Sequence, residues 1–535
     1  LGQELFLDDV EAKKYLIENR MLEHGAQLLF ETLVNGVYME GTRIKGVRVF
    51  GPQGERSYGC KVLIDATAEA QVAVMAGCET RLGRESDGRT RPYTSVKVWV
   101  TPQGRIARTN HDSGYVNPYS PTALSRAILY GHASQLLEEF ADDRQSILFY
   151  APLIGLREGR RIASRHDITG ADILDGKFAE EPLFHAYSDF DKHGKDHALE
   201  SETLQDFCVA CNLSTVNFSV PVSLKTLMPL ACDNLLCAGR HIGLDHDAAS
   251  MVRMKRDMHR CGESAGVCAA MAAKADVLPL DLPMDSIRQA LGATGCLDAR
   301  HHTGPVFDDN YRRMPVRWLT DPQAIREQLQ TDMPGIALYS CKKLGQSIAR
   351  HLERWMGEDD PLLSGASALA LGNLMQAGAL PKLRGIVAER DAFYYKDCRR
   401  TNQLRTAMAL YLIGKLGDEQ SLPLLTQILC EEKEYERPLY HAIRQTSYEF
   451  NPNKNFNEVY FQVISHAAIA LIKIARRHPA RFAQAAALLR EAFSSDRHIR
   501  NTTGMPPETF EYETIQGVRL QALHFAGPED GQTKE

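Results

Sequence analysis

The sequence predicts an α/β fold followed by an all-α repeat region, and three observations carry that prediction. A short apolar run, residues 235–238, is bounded by polar residues and Gly239, which is typical of a buried strand. A second apolar run, residues 62–64, ends in a polar turn that starts at Asp65. Residues 366–383 and 408–425 repeat one apolar, helix-forming pattern 42 positions apart, and repetition at such a period is typical of stacked helical repeats.

Length and composition narrow the class of protein. The chain has 535 residues, which is enough for about two to four domains. Charged residues make up 24% and the net charge is −6, a balance that predicts neither a nucleic-acid nor a membrane partner. The 12 cysteines lack a disulfide-like spacing, which favours a reducing compartment such as the cytoplasm. Because the chain starts with Leu1 rather than Met, we expect a fragment or a processed chain, and an upstream signal peptide stays open.

Residues 1–80 predict a helix, a β-meander and a strand. A rough helical stripe covers residues 10–22, and residues 37–39 and 44–49 have the pattern of a hairpin. The sequence Pro52-Gln53-Gly54 turns the chain again. The apolar run at 62–64 then leads into Asp65 and Thr67.

The stretch from residue 233 to residue 274 combines a strand, a glycine-containing turn and a helix of small residues. After the strand, Gly239 and Gly243 lie where a turn needs small side chains. Residues 260–274 predict a helix with a nearly bare surface, because Gly262, Gly266 and five alanines crowd it. Such a helix lets another chain or a flat ligand approach its backbone, and its N-terminus suits an anionic group. A packing helix without a ligand is the alternative interpretation.

The order NLLCAGR, His246, SMVRM and MHRCGESAGVCAAMAA resembles the C-terminal segment of FAD-dependent oxidoreductases with a glutathione-reductase-like fold. The β-meander followed by an Asp-Ala-Thr turn resembles the same family. The resemblance implies a Rossmann-like FAD/NAD(P)-binding fold, a mixed-sheet substrate part, and FAD as the cofactor. It also implies flavin contacts at Gly239, Arg240, Gly262 and Gly266, with Asp65 and Thr67 behind them.

Two features depart from the family. Its members begin with a strand, a GxGxxG turn and an acidic residue, which bind the pyrophosphate and the adenosine ribose. No GxGxxG occurs at the start of this chain, so we expect either a truncated chain that begins about one βαβ unit late or a lost cofactor site. In addition, Ala68 replaces the family's glycine after Thr67, and alanine takes a positive φ less readily than glycine.

Residues 81–232 are the expected substrate-facing part, with predicted strands at 95–100 and 147–150. The segment 156–162 resembles a family segment in which paired arginines precede a short helix. Its arginines, Arg157, Arg160 and Arg161, form a basic cluster that suits a carboxylate or a phosphate. The alternative is a solvated loop whose arginines pair with Glu158 and nearby acids.

His246 is the candidate general acid or base. It lies in the turn between the strand and the small-residue helix, and its neighbours Asp245 and Asp247 predict a pKa raised toward neutrality or above. Arg253 is the candidate for stabilising a developing negative charge. A loop or capping role for His246 is the alternative.

Two further clusters are weaker candidates. Cys208 and Cys211 form a lone CxxC, which predicts ordinary buried thiols, with a flavin-linked redox disulfide as the alternative. A polar segment has the composition of a divalent-metal site but no known ligand spacing, and so predicts a surface loop: His185, Asp189, Asp191, His193, Asp196 and His197. No metal site is therefore predicted.

The two repeat copies match in register, with Gly372 over Gly414 and Pro381 over Pro423. A looser third copy at 467–474 follows an aromatic-rich insertion from Tyr435 to Phe461. Two apolar helices per unit resemble HEAT repeats, and a generic helical bundle is the alternative. We expect the following divisions: a partial FAD-binding domain at 1–80, a substrate-facing domain at 81–232, a return to the FAD-binding domain at 233–275, a connector with short helices at 276–355, HEAT-like repeats at 356–500, and a polar, partly frayed tail at 501–535.

The sequence thus favours a FAD-dependent oxidoreductase that transfers a hydride from a small-molecule or sugar-like substrate to flavin. The first alternative is a non-catalytic interaction protein that binds a protein partner on the concave surface of its repeats. The second is a polysaccharide-modifying enzyme, because the basic cluster and His246 suit elimination at an acidic sugar.

Overall fold

The computed structural model describes residues 10–139, 146–178, 180–298, 303–309, 312–398, 402–431, 457–502 and 510–527. Within these residues an α/β part, as predicted, precedes an all-α part. The strands are β1 (Leu33–Glu40), β2 (Arg43–Gly51), β3 (Gly54–Gly59), β4 (Leu63–Asp65), β5 (Thr80–Arg81), β6 (Tyr93–Val100), β7 (Ile106–Gly114), β8 (Ser146–Tyr150), β9 (Arg161–Ile162), β10 (Pro182–Ser188), β11 (Asn217–Ser223), β12 (Leu235–Cys237), β13 (Gly304–Asp309) and β14 (Arg312–Pro315).

Helices connect the strands of the α/β part and then form the all-α part. Those of the α/β part are α1 (Val10–Glu23), α2 (Gln71–Met75), α3 (Pro121–Glu139), α4 (Gly170–Asp175), α5 (Glu202–Cys208), α6 (Leu224–Leu227), α7 (His246–Val252), α8 (Lys255–Ala275) and α9 (Met284–Thr294). Those that follow are α10 (Pro322–Leu329), α11 (Gly335–Leu344), α12 (Gln346–Met356), α13 (Pro361–Asn373), α14 (Leu380–Glu389), α15 (Arg405–Leu416), α16 (Leu422–Thr426), Glu458–Arg477, Phe482–Phe493, Arg497–Thr502 and Phe510–Ala526.

The first strands form the predicted meander. Strands β1, β2 and β3 pair antiparallel in sequence order, with Val37 opposite Val47 and Val47 opposite Tyr58. The chain then leaves this sheet and enters β4, the short apolar strand that the sequence predicts.

Strands β4 and β12 form a parallel pair, although 169 residues separate their ends in sequence, between Asp65 and Leu235. Leu235, Leu236 and Cys237 are fully buried, as expected for a strand without polar positions. Because the two strands run in the same direction, their carboxyl ends meet at one edge, and Asp65 lies opposite Cys237. The turn after β4 and the glycine turn after β12 therefore lie side by side.

The substrate part and the expected connector share one sheet, which corrects the predicted boundary at residue 276. Strand β11 pairs with β10 on one side and with β13 on the other, and β14 completes the order β10-β11-β13-β14. Residues 304–309 and 312–315 are thus part of the α/β architecture rather than a linker. A separate antiparallel sheet has the order β7-β6-β8.

Among the described residues of the predicted repeat region, helices follow one another in three pairs: α13 with α14, α15 with α16, and Glu458–Arg477 with Phe482–Phe493. The equivalent glycines Gly372 and Gly414 both lie at tight contacts. A Cβ on Gly372 would come within 3.1 Å of Leu412, and one on Gly414 within 2.6 Å of the Cα of Ala470. Most of the predicted aromatic-rich insertion, residues 432–456, lies outside the described residues.

The helical part and the α/β part share one continuous hydrophobic core, which runs from Ile44 to Ala526. At their interface the carboxylate of Asp206 on α5 accepts hydrogen bonds from Lys415 at 2.5 and 2.7 Å and from Tyr411 at 2.7 Å, and it also pairs with Lys342. The helix Glu458–Arg477 is long and apolar enough to cross a membrane, but 83% of its apolar window is buried inside the protein.

Two predicted surface segments are buried instead. The predicted frayed tail contains the helix Phe510–Ala526, whose Ile515, Val518 and Ala522 are fully buried; residues 503–509 and 528–535 lie outside the described residues. In the predicted polar loop 185–197, His197 and Asp196 are buried as well. Composition suggested exposure in both cases, but long-range contacts bury these residues.

Candidate functional site

The candidate site starts at the edge where β4 and β12 end. The carboxylate of Asp65 accepts hydrogen bonds from the backbone N–H of Thr67 at 2.9 Å, from the Thr67 hydroxyl at 2.6 Å, and from the N–H of Ala73 at 3.0 Å. The Thr67 hydroxyl in turn accepts from the N–H of Gln71 and so leads into α2. Asp65, which is fully buried, therefore fixes the shape of the turn with its own side chain.

This turn has two alanines in the left-handed conformation, Ala68 at φ 65° and Ala70 at φ 52°. Ala68 thus adopts a positive φ although alanine does so less readily than glycine. The left-handed conformation costs an alanine about 1 kcal/mol. We attribute its retention to the four hydrogen bonds that Asp65 and Thr67 make around the turn.

The second turn, after β12, is built around Gly239 at φ 152°, a conformation that favours glycine. A Cβ at this position would lie 3.0 Å from Nδ1 of His241. The Nε2 of His241 lies 3.1 Å from the backbone carbonyl of Asp65, and the N–H of Ala238 donates to the same carbonyl at 2.8 Å. Residues 65–70 and 238–241 thus form one unit, which we call the cradle.

The small-residue helix α8 begins near the cradle. The Gly239 N–H lies against the thiol of Cys261, and burial raises the pKa of this thiol to about 12. On the neighbouring positions Gly262 and Gly266, an added Cβ would meet no atom within 4 Å. Helix α8 therefore meets the turn after β12 through Cys261, and open space lies over Gly262 and Gly266.

Glu69 closes one side of the cradle. Its carboxylate accepts from the hydroxyl of Tyr119 at 2.5 Å and pairs with the guanidinium of Arg240. A Cβ on Gly159 would come within 1.8 Å of the Glu69 carboxylate. Glu69 can hold this position only because residue 159 has no side chain.

His246 lies in a buried group of charges behind the cradle. Its Nδ1 lies 2.9 Å from Oε1 of Glu158, and its Nε2 lies 3.6 Å from Oε2 of Glu200 without a hydrogen-bond partner. Arg91 joins the two acids, because its N–H donates to Glu158 at 2.9 Å and its guanidinium donates to Glu200 at 2.7 Å. Burial opposes the charge on Glu200, but Arg91 holds its pKa well below the usual range.

The predicted pKa of His246 is wrong in direction. Burial, assisted by Arg91, lowers the pKa of His246 to about 4. Its sequence neighbours face other groups: Asp245 accepts from the N–H groups of Ala248 and Gly170, and Asp247 accepts from Ser201. At neutral pH His246 is therefore uncharged, with its proton on Nδ1 toward Glu158 and a free lone pair on Nε2.

The three arginines of the segment 156–162 have separate environments. Arg157 donates to the carbonyl of Pro92 at 2.6 Å and pairs with Asp112 at 2.7 Å. The guanidinium of Arg160 lies 3.8 Å above the ring of Tyr119, beside the cradle. Arg161 is buried and pairs with Glu158, while burial lowers its pKa to about 10.

Arg253 belongs to a third cluster. Its guanidinium donates to the backbone carbonyl of Asp191 at 2.6 Å and to the Asp191 carboxylate at 2.8 Å. His193 lies between this carboxylate and that of Asp112, at 3.2 and 3.0 Å. Although burial opposes it, hydrogen bonding to the two carboxylates raises the pKa of His193. Arg157 completes the cluster through Asp112.

Two groups of side chains that could bind a metal or react as thiols have structural roles instead. Asp65, Cys237 and His241 have ligand atoms within 4.8 Å of one another, but the Asp65 carboxylate is already occupied by three donors. Cys208 and Cys211 are buried in the core, and burial raises the pKa of both thiols, as expected of structural cysteines.

Sequence reasoning missed the acids that position His246, namely Glu158 and Glu200, and the pair Glu69–Tyr119. Glu158 stands inside the arginine segment that the sequence singled out, but only as a possible surface partner for its neighbours. Glu200 gave no local signal. The segment 157–161 contacts all three parts of the site: Glu158 and Arg161 reach His246, Arg160 reaches the cradle, and Arg157 reaches the Arg253 cluster.

Comparison with known proteins agrees with this geometry. The family model described as FAD dependent oxidoreductase matches residues 3–147 and 132–291, which together are more than half of the chain. The match covers the cradle, the His246 group and the whole of α8. Neither the curated proteins nor the solved structures contain a match to the chain. This chain belongs to the family of FAD dependent oxidoreductases, and its cofactor is FAD.

Proposed function

We propose that the chain oxidises a small organic substrate by hydride transfer from a C–H or N–H bond to FAD, with a second acceptor that reoxidises the flavin. When bound, FAD supplies the two-electron acceptor for this reaction. The protein's own residues bind and orient both partners and take up the proton that the substrate releases. The observation that carries the proposal is the free Nε2 of His246, held beside the cradle by Glu158.

The residues of the cradle fit a flavin dinucleotide. Three buried polar atoms around it lack a partner, namely Nε of Arg240, Nδ1 of His241 and Nε of Arg160. Buried polar groups are normally hydrogen-bonded, so unpaired ones mark a place where a polar ligand belongs. The glycines of α8 leave room for close approach to its backbone. We propose that Gly239, Arg240, Gly262 and Gly266 contact FAD, with Asp65 and Thr67 shaping the turn behind them.

His246 is proposed as the proton acceptor. A general base must be uncharged to accept a proton, and burial keeps His246 neutral down to about pH 4. Glu158 fixes the proton on Nδ1, so that Nε2 is the basic atom. A proton that arrives at Nε2 is stabilised by Glu200, whose carboxylate lies 3.6 Å away. Arg253 is proposed to stabilise negative charge that develops during the reaction.

Substrate contact is proposed chiefly for Arg160. Arg157 and Arg161 each pair with an acid of the protein, Asp112 and Glu158 respectively, so we assign them the positioning of those acids. Arg160 makes its main contact with the ring of Tyr119 and presents a planar cation next to the cradle. A planar guanidinium suits a carboxylate or phosphate group on the substrate.

We propose further that the three helix pairs are HEAT-like repeats. Support comes from the 42-residue spacing and from the close contacts that both equivalent glycines, Gly372 and Gly414, make with neighbouring helices. Because Asp206 and a common core tie these helices to the α/β part, they support the site from behind. A protein partner on their outer surface remains compatible with this role.

The test is a spectroscopic one on the full chain. Purified protein is reconstituted with FAD, desalted and scanned, and a bound flavin absorbs at about 450 nm. Candidate substrates, among them small hydroxy acids, amines and sugars, are then added without oxygen, and loss of this absorbance reports reduction. His246→Asn is expected to retain FAD but to be reduced at least about 100-fold more slowly. A chain that binds no FAD under any condition contradicts the proposal.

A further inference from the structure

Cys78 and Cys232 are close neighbours in space although 154 positions separate them in sequence. Their sulfur atoms lie 3.5 Å apart, and both residues are free and buried, with 7% and 0% of their surfaces exposed. A disulfide bond is about 2.0 Å long, so the sulfurs need to approach by only about 1.5 Å. No local spacing in the sequence indicates this pair.

The position of the pair relates it to the cradle. Cys78 follows α2, and its N–H donates to the carbonyl of Ala73 at 2.9 Å, the residue whose own N–H is held by Asp65. Cys232 lies three residues before β12, and its carbonyl accepts from Arg165 at 3.3 Å. One cysteine is therefore anchored to the turn after β4 and the other to the entrance of β12.

We propose that Cys78 and Cys232 are a dithiol that a small peroxide oxidises to a disulfide, and that this bridge fastens the end of α2 to the segment that leads into β12. The pair is distinct from the CxxC pair, Cys208 and Cys211, at the end of α5. The proposal does not depend on the substrate of the enzyme or on the role of His246.

The chemistry balances with the peroxide as the oxidant. One sulfur attacks as a thiolate, the O–O bond breaks, and hydroxide leaves, so that a sulfenic acid forms. The second thiol attacks this sulfur, the S–O bond breaks, the S–S bond forms, and water leaves with the proton of the second thiol. Two electrons pass from the two sulfurs to the peroxide, which ends as two molecules of water.

The close contact helps the first step. The S–H of one cysteine donates to the sulfur of the other, and a shared proton stabilises the thiolate that must attack. This hydrogen bond lowers the pKa of Cys232 relative to an ordinary thiol. The thiolate is the form of cysteine that attacks a peroxide.

The test uses the full chain as isolated, reduced and then exposed to a small excess of hydrogen peroxide. Free thiols are counted after unfolding, and a digest is analysed by mass spectrometry. We expect the count to fall from 12 to 10, a peptide pair joined through Cys78 and Cys232, full recovery with a thiol reductant, and a higher melting temperature for the oxidised protein. A count that stays at 12, or a loss that falls on other cysteines, overturns the proposal.

Two variants separate the bridge from general oxidation. Cys232→Ser removes one partner and is expected to give no joined peptide and no rise in melting temperature after peroxide. Cys430→Ser removes a half-buried thiol far from the pair in sequence and is expected to behave like the wild type. If Cys232→Ser still gains stability from peroxide, the bridge is not the cause.

Discussion

Oε1 of Glu158 lies 2.9 Å from Nδ1 of His246, and the same glutamate pairs with Arg161 and accepts the backbone N–H of Arg91. One carboxylate thus fixes the tautomer of the histidine and balances a buried cation. His246 has no second hydrogen-bond partner at Nε2. The contact at Nδ1 therefore orients the ring, while Nε2 is still able to accept a proton. The predictions below start from this pair.

Glu158→Gln is expected to slow substrate-dependent flavin reduction by about 10- to 100-fold, because a neutral amide no longer fixes the proton on Nδ1. The FAD content after desalting should stay unchanged. Stopped-flow absorbance on FAD-loaded protein measures the rate. Glu389→Gln, at an exposed position, is the control, and its flavin should be reduced at the wild-type rate. Equal rates in the two variants would show that Glu158 has no role in the reaction.

The pH dependence of reduction tests the buried state of His246. Since its pKa lies at about 4, the base is neutral throughout the range from pH 5 to 8. The rate of the reductive step should therefore be flat over this range and fall only toward pH 4. A fall centred near pH 6.5, the ordinary value for histidine, would show that His246 is exposed or is not the base.

Gly159→Ala is expected to weaken FAD binding at least about 10-fold, because the new Cβ takes the space of the Glu69 carboxylate and separates it from Arg240. Equilibrium titration of the apoprotein with FAD, followed by flavin fluorescence, measures the change. Gly385→Ala is the matched control, since a Cβ on this helical glycine meets no atom within 4 Å. An unchanged affinity of Gly159→Ala for FAD would show that Glu69 does not contribute to the cofactor site.

Asp206→Asn is expected to lower the free energy of unfolding by about 3–5 kcal/mol, because it removes the nearer of the two carboxylates that face the buried ammonium of Lys415 and leaves only the more exposed Glu202 at 3.4 Å. Urea unfolding followed by circular dichroism gives the value. The control is Asp496→Asn, whose partner Arg519 is at 2.9 Å but whose own side chain is 57% exposed. That loss should stay below about 1 kcal/mol, and similar losses in both variants would argue against a buried ion pair at the interface.

His466 should make the protein sensitive to acid. Burial, with Lys473 and Lys192 nearby, lowers the pKa of His466 to about 3. As the pH falls, the unfolded chain takes up the proton first, near pH 6.5, so stability is complete above this value and is lost between pH 6.5 and 3, by up to about 1.4 kcal/mol per pH unit. Urea unfolding at pH 7, 6 and 5 gives the free energy of unfolding at each pH. In His466→Gln its dependence on pH should correspond to the uptake of one proton fewer on unfolding. The exposed His24→Gln should leave it unchanged, and the same slope in His466→Gln would contradict the burial.

Local patterns predicted the elements that local physics determines. The apolar run that becomes β12, the turn residues of the meander, and the alanines and glycines of α8 each act within a few residues, and each prediction is confirmed. The helices α13 and α15 were visible for a similar reason, since their apolar residues recur within each helix. The boundary at residue 276 could not be placed, because β13 joins the sheet by pairing with β11, which ends about 80 residues earlier in the chain.

The chemistry of the site depends on contacts between residues that are far apart in the sequence, so no local pattern reveals them. His246 meets Glu158 across 88 positions, and Cys78 meets Cys232 across 154. The sequence assigned the pKa of His246 to Asp245 and Asp247 because they are adjacent, but both acids turn to backbone N–H groups or hydroxyls. Burial, which dominates this pKa, follows from the packed core and has no signature in the neighbouring residues.

The common core of the two parts has an evolutionary and a practical consequence. Proteins assembled from separable modules can exchange or lose a module, and their fragments can be expressed alone. Here the ammonium groups from α11 and α15 neutralise an acid of α5, and the last described helix belongs to the same core as β2. A fragment that stops before the helical region would expose this inner surface to water. The two parts therefore fold as one body, and loss of the helical part would require polar substitutions over this inner surface.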